Sequence, residues 1–193
     1  MNLFYEELPC HVFDGQENIH ITTDFRDIIR LIDMLEDASV KAEDTIRYIL
    51  AYFAKEPYDL AVAIDNLTRW ISADEISLKA YNRSREREHS RPYRPAERPV
   101  FSFAWDYPYI HAAFLQAYRI DIASIDYLHW WTFLGLFQAL PADTELKKRM
   151  AYRATDLTDI QSKEERKRIE KIQREIALPW AGPTDYDIGD LFW

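Results

Sequence analysis

The chain has 193 residues, 48% of them hydrophobic and 15% aromatic, with a formal net charge of −9. Its length suits one domain, or one domain with appended arms, its apolar content excludes wholesale disorder, and its acidity argues against broad nucleic-acid binding. Four glycines supply few tight turns, which disfavours a sandwich or barrel and points to a mostly helical fold.

Residues 9–22 are predicted to form an extended hairpin. Val12 and Phe13 precede the turn pair Asp14-Gly15, and Ile19-His20-Ile21 reads as the return strand. Thr22, Thr23 or Asp24 can then cap a helix whose apolar positions Phe25, Ile28, Ile29, Ile32 and Leu35 follow helical spacing to about Glu36. A second helix is expected over about Lys41 to Ala54, with Ile46, Ile49, Leu50 and Phe53 on its inner face. Pro57 stops it or opens the next, and Leu60, Ala63, Ile64, Leu67 and Ile71 mark a third, with Trp70 beside the stripe.

From Lys79 to Arg98 seven basic residues stand against three acidic ones, interrupted by Pro92 and Pro95, so 79–100 reads as an Arg/Pro-rich linker or arm. A further helix is expected from Trp105 to Tyr118, with Ile110, Ala113, Phe114 and Ala117 inward. An apolar helix then starts at a Ser124 or Asp126 cap and ends before Pro141, followed by a short one over Asp143 to Arg153 with Leu146 and Met150 inward. The last, Ser162 to Ile176, is mostly charged, with a narrow stripe of Ile169, Ile172 and Ile176. The expectation is a mostly α fold of about six or seven helices with a short N-terminal β-hairpin. Its parts are the hairpin and first helices (1–78), the arm (79–100), a central region packing on the N-terminal helices (101–155), and the charged helix with an aromatic tail (156–193).

Few residues carry recognisable chemistry. The five histidines never fall at an i, i+4 ligand pairing, and Cys10, His11 and His20 on facing strands supply at most three ligands, so no metal or other cofactor is expected. Cys10 and His11 are adjacent, and neighbours on a strand point to opposite faces, which argues against a catalytic pair. No nucleophile elbow, phosphate loop or dinucleotide fingerprint is present, so the chain does not read as an enzyme. Asp106, Asp121 and Asp126 are read as helix caps or partners of Arg149 and Arg153. The arm, with Tyr81 and Tyr93 among its arginines, is read as solvated linker in preference to a single-strand-binding element. Met1–Glu7 lacks the basic start and apolar stretch of a secretory leader, one cysteine forms no internal disulfide, and the apolar run at 128–140 is too short to span a membrane.

That run, Leu128-His129-Trp130-Trp131-Thr132-Phe133-Leu134-Gly135-Leu136-Phe137, is the most informative stretch. It is apolar on nearly every side and must be covered on every side, by its own domain or by a partner. Trp130, Phe133, Leu134 and Phe137 form one helical stripe. His129 reads as a hydrogen-bonded core or rim residue, and Gly135 as a place where another helix approaches closely. Truncation of Trp131 to alanine is expected to show first as lost stability.

Tyr118-Arg119-Ile120-Asp121-Ile122, followed by Leu128-His129-Trp130-Trp131-x-Phe133, resembles the bacteriophage family named after gene product fifteen of the tail-gene region. Asp106, Ile110 and Phe114 fit that family's Asp-x-x-x-Ile-x-x-x-Phe helix, Thr23-Asp24-Phe25-Arg26 fits its opening, and Arg149 and Arg153 sit where its arginines follow the tryptophan helix. Arg119 replaces the family's usual glycine, which argues against a positive-φ turn there. The arginine-rich insert is longer and more basic than in the family pattern. The likeness spans roughly residues 9–155 and implies a structural part for Asp106, Ile110, Phe114, Tyr118, Asp121, Leu128, His129 and Trp131.

It also implies a tail assembly chaperone: a small, helical, self-associating protein that coats the tape measure protein while tail-tube subunits polymerise around it. Such a protein has no catalytic residue and works in the cytoplasm of the bacterial host. The expected partners are the tape measure protein or another tail protein, and further copies of this chain, with no membrane or nucleic acid. Trp130, Phe133 and Phe137 are the expected contact face for an apolar segment, and Trp180, Phe192 and Trp193 are expected to dock on a neighbouring subunit. The alternatives are a structural tail component that stays in the virion and, behind it, a nucleic-acid-binding accessory protein.

Overall fold

A computed structural model describes residues 5–37, 39–73 and 99–179. The chain divides into two compact units, one of residues 1–93 with 127–134 and the other of 94–126 with 135–193. Among the described residues there are seven α-helices and one two-stranded antiparallel hairpin, as the sequence predicts. The arm, apart from Pro99 and Val100, lies outside them, as do Trp180, Phe192 and Trp193.

The first unit opens with β1 (His11–Phe13) and β2 (Asn18–His20), paired His11 to His20, Val12 to Ile19 and Phe13 to Asn18. Alternation buries Val12 and Ile19 and leaves their neighbours exposed. The turn is longer than the two-residue loop that Asp14-Gly15 suggests. The Asp14 carboxylate accepts the amides of Gln16 (2.9 Å), Glu17 (2.8 Å) and Tyr58 (3.1 Å), which closes a loop over residues 14–17. Gly15 has φ +100°, and a Cβ there would meet Asp59 Cβ at 3.2 Å, so both backbone and space require glycine.

Helix α1 (Phe25–Glu36) is capped by Asp24, whose side chain accepts from the Arg26 amide, and it buries Phe25, Ile28, Leu31 and Ile32. Helix α2 (Ala42–Leu50) is shorter than its apolar spacing predicts. Residues 52–54 are used otherwise: the Thr22 amide donates to the Tyr52 carbonyl (2.9 Å) and the Ala54 amide to the His20 carbonyl (2.9 Å), extending the hairpin. Phe53 is therefore buried from a turn, while Ile46, expected inward, is exposed. Helix α3 (Leu60–Ile71) starts at its Asp59 cap, packs on β1 and buries Ala63, Leu67, Trp70 and Ile71.

In the second unit α4 (Phe103–Tyr118) follows a Ser102 cap and buries Phe103, Asp106, Ile110, Ala113 and Phe114. Helix α6 (Glu145–Ala154), capped by Thr144, packs on α4 and turns Leu146 and Met150 inward. Helix α7 (Lys163–Glu175), capped by Ser162, lies against α6 with no fully buried residue. Helix α5 (Trp130–Gln138) contributes residues 130–134 to the first unit and 135–138 to the second.

Candidate functional site

The tryptophan helix starts at Trp130, later than a Ser124 or Asp126 cap would place it. Its start is fixed by tertiary pairing. The Phe25 amide donates to the Leu128 carbonyl (3.0 Å) and the Trp130 amide to the Thr23 carbonyl (2.8 Å), so residues 128–129 run as a short strand beside the N-cap of α1. The Asp24 carboxylate also accepts from the Leu128 amide at 3.4 Å. The imidazole of His129 then caps the helix, Nδ1 accepting the Trp131 amide at 3.1 Å.

Because Nδ1 accepts, the ring's proton sits on Nε2, which donates to the Pro9 carbonyl at 3.1 Å. His129 is 5% exposed, and burial holds its pKa below the ordinary histidine value. The same Pro9 carbonyl accepts the Trp70 indole at 2.9 Å. Trp131 and Trp130 donate their indole N–H groups to the carbonyls of Trp70 (2.8 Å) and Ile71 (2.7 Å). Those carbonyls close α3, where a helix lacks internal donors. The tandem indoles thus cap the end of one helix while filling the core, which accounts for two adjacent tryptophans after a histidine.

The residues of the expected contact face are buried. Trp130 and Phe133 are at 0% exposure and Phe137 at 1%. Within the first unit Phe133 stacks on Phe25 (4.8 Å between centroids) and Trp130 (5.6 Å); within the second, Phe137 packs on Phe101 at 5.1 Å. Aromatic side chains of this chain thus lie against that stripe. Gly135 is not a point of close approach, since a Cβ there would meet nothing within 4 Å.

The remaining motif residues hold the second unit together. Asp106 and Arg153 form a bidentate ion pair, at 2.6 and 3.0 Å, with side chains 2% and 9% exposed. Arg153 also donates to the carbonyls of Val100 (3.0 Å) and Ile176 (2.8 Å), and the Ser102 amide donates to Asp106 at 3.0 Å. The expected link between these aspartates and the later arginines is found here, although Arg149 instead pairs with Glu145 and lies over the Tyr109 ring. Ile110 and Phe114 are core, and Tyr118 donates its hydroxyl to the Leu136 carbonyl at 2.8 Å.

Asp121 bonds the His111 ring at 2.7 Å and accepts the Ala123 amide, and the histidine contact first, with Ser124 and that amide, holds its carboxyl below the usual range. Arg119 adopts φ 60°, ψ 25° at the C-cap of α4. The positive-φ turn therefore persists with arginine in place of glycine.

At the hairpin, Cys10 Sγ lies 3.2 Å from His11 Nδ1, so these neighbours do meet, Cys10 lying just before the regular strand. Among the described residues no three metal-type side chains gather, and no helix is long and apolar enough to cross a membrane.

One further surface lies outside the quoted motifs. Ala104, Trp105, Pro108, Ala112, Leu115 and Gln116 are all exposed and fall within a single arc of α4. None carries a charge, in a chain with 30% charged residues. The near-continuous apolar run of this helix was the available signal, masked in the sequence because the outer residues look like core.

Helices capped through a His-Trp-Trp block, with an Asp–Arg pair fixing the second unit, are the features the quoted motifs encode. The chain matches the family described as Bacteriophage Gp15 protein over residues 4–178, and it belongs to that family. It is a bacteriophage protein. No curated protein and no solved structure matches it.

Proposed function

We propose that this protein is a tail assembly chaperone that binds apolar segments of the tape measure protein while the tail tube is built, and is released before the particle is complete. The observation that carries the reading is membership of the phage family across residues 4–178, since the chaperone role is what the likeness implies. The uncharged outer arc of α4 supports it. A helical client can lay an apolar stripe along Ala104, Pro108, Ala112 and Leu115 without desolvating a charge. The proposed contact face is this arc and not the α5 stripe, because Trp130, Phe133 and Phe137 are buried. The protein works without a catalytic step, in the host cytoplasm, as a self-associating subunit.

Co-expression with the tape measure protein of the same phage tests this. The tape measure protein should become soluble and co-purify, and Ala112→Glu in this chain should abolish both effects. A tape measure protein that stays equally insoluble and unbound with or without this chain overturns the proposal.

A further inference from the structure

The outer arc of α4 has a candidate occupant in the same chain. Residues 180–193 read Trp-Ala-Gly-Pro-Thr-Asp-Tyr-Asp-Ile-Gly-Asp-Leu-Phe-Trp, with Trp180, Tyr186, Ile188, Leu191, Phe192 and Trp193 apolar, three aspartates and no basic residue. We propose that this segment docks on the outer arc of α4 of its own chain. The inference stands on this chain alone and does not depend on the chaperone reading.

The first argument is the tether. Leu178 is buried, and the Ile176 carbonyl is held by Arg153, the same guanidinium that grips Asp106 in the first turn of α4. Ile176, four residues before the segment begins, is therefore tied beside the start of the helix that the segment would cover. The second argument is reach. Fourteen extended residues span roughly 45 Å, whereas the 16 residues of α4 are about 24 Å long. Every point of the arc is accessible, at an effective concentration of order millimolar for so short a tether.

The third argument is charge. An acidic segment is repelled by a body of net negative charge, but the arc carries no charge of either sign, and the one carboxylate of α4, Asp106, is buried and paired. The alternating aspartates can stay in water while the rings between them lie on Pro108, Ala112 and Leu115. By contrast α7, the nearest exposed helix on the chain, has six basic residues against four acidic ones and can attract the aspartates, but it has no comparable apolar arc for the rings.

Disulfide trapping in the full-length protein tests the proposal. In a Cys10→Ser background, Gly189→Cys is combined with Ala112→Cys on the arc or, as a control, with Lys171→Cys on the exposed side of α7. The Ala112 pair should close intrachain at least tenfold faster than the Lys171 pair under mild oxidant, at micromolar protein. Adding Leu115→Asp, with the helical circular dichroism unchanged, should slow the Ala112 pair by about tenfold. Equal rates for the two pairs, a rate indifferent to Leu115→Asp, or a product that is only interchain would each overturn docking within one chain.

Discussion

The Asp106–Arg153 pair offers the sharpest test of what holds the second unit. Arg153 makes four hydrogen bonds, two to the Asp106 carboxylate and one each to the carbonyls of Val100 and Ile176. With Arg153→Met, the carboxylate, 2% exposed, keeps only the Ser102 amide, and two carbonyls lose their donor. Breaking one side of a buried pair costs about 3–5 kcal/mol. Asp106→Leu should cost a similar amount, because it strands a guanidinium that is 9% exposed. In the double variant no charge is left buried. What remains is the unpaired backbone groups at Val100, Ile176 and Ser102, each costing about 1–3 kcal/mol where water cannot reach it. The double variant should therefore be destabilised by less than the sum of the singles, with a coupling energy of at least about 2 kcal/mol. Urea unfolding monitored by circular dichroism, at equal slope across the four proteins, measures it. Singles costing under about 1 kcal/mol, or a double equal to their sum, would refute the assignment of a buried, hydrogen-bonded pair.

Other substitutions probe single points of the account. Gly135→Ala should raise stability by about 1 kcal/mol, because the position is helical and a Cβ meets nothing within 4 Å; a lower urea midpoint would show that something does approach it. Arg119→Gly should stabilise by about 0.5–1 kcal/mol, the relief of a left-handed residue exceeding the added chain entropy of glycine. An unchanged or reduced midpoint would contradict that. His129 must be neutral to accept from Trp131, and burial depresses its folded pKa, so its contribution is present above the unfolded value near about 6.5 and lost as pH falls through the folded one. The fall in stability between pH 7 and 5 should accordingly be shallower in His129→Gln than in the wild type, with equal slopes as the contrary result. Trp131→Ala should cost about 3–5 kcal/mol in the same assay.

Local chemistry is legible from the sequence at Asp24 and Ser162, short polar side chains that cap helices where the sequence places the starts. Asp59, Ser102 and Thr144 also cap helices, but apolar spacing puts those starts at Pro57, Trp105 and Asp143, because it marks the buried face and not the cap. Where backbone pairing between distant segments intervenes, spacing alone misleads. Helix α2 stops at Leu50 because residues 52–54 pair with the hairpin, and α5 begins at Trp130 because residues 128–129 pair with the start of α1. The tryptophan block stands out in the sequence, but its apolar breadth has two physical readings, a core helix or a docking face. Only the positions of Phe25 and Phe101 against it choose the first. The outer arc of α4 suffers the reverse ambiguity, since Trp105, Ala112 and Leu115 look like core residues until the helix is oriented by Ile110, Ala113 and Phe114.

The central claim is that the protein acts on the growing tail and is then released. Quantitative mass spectrometry of purified particles, set against the lysate of infected cells, tests it most directly. The account predicts a protein abundant in the lysate and absent from the particle. A fixed copy number per finished particle would contradict it and make the chain a structural component of the tail.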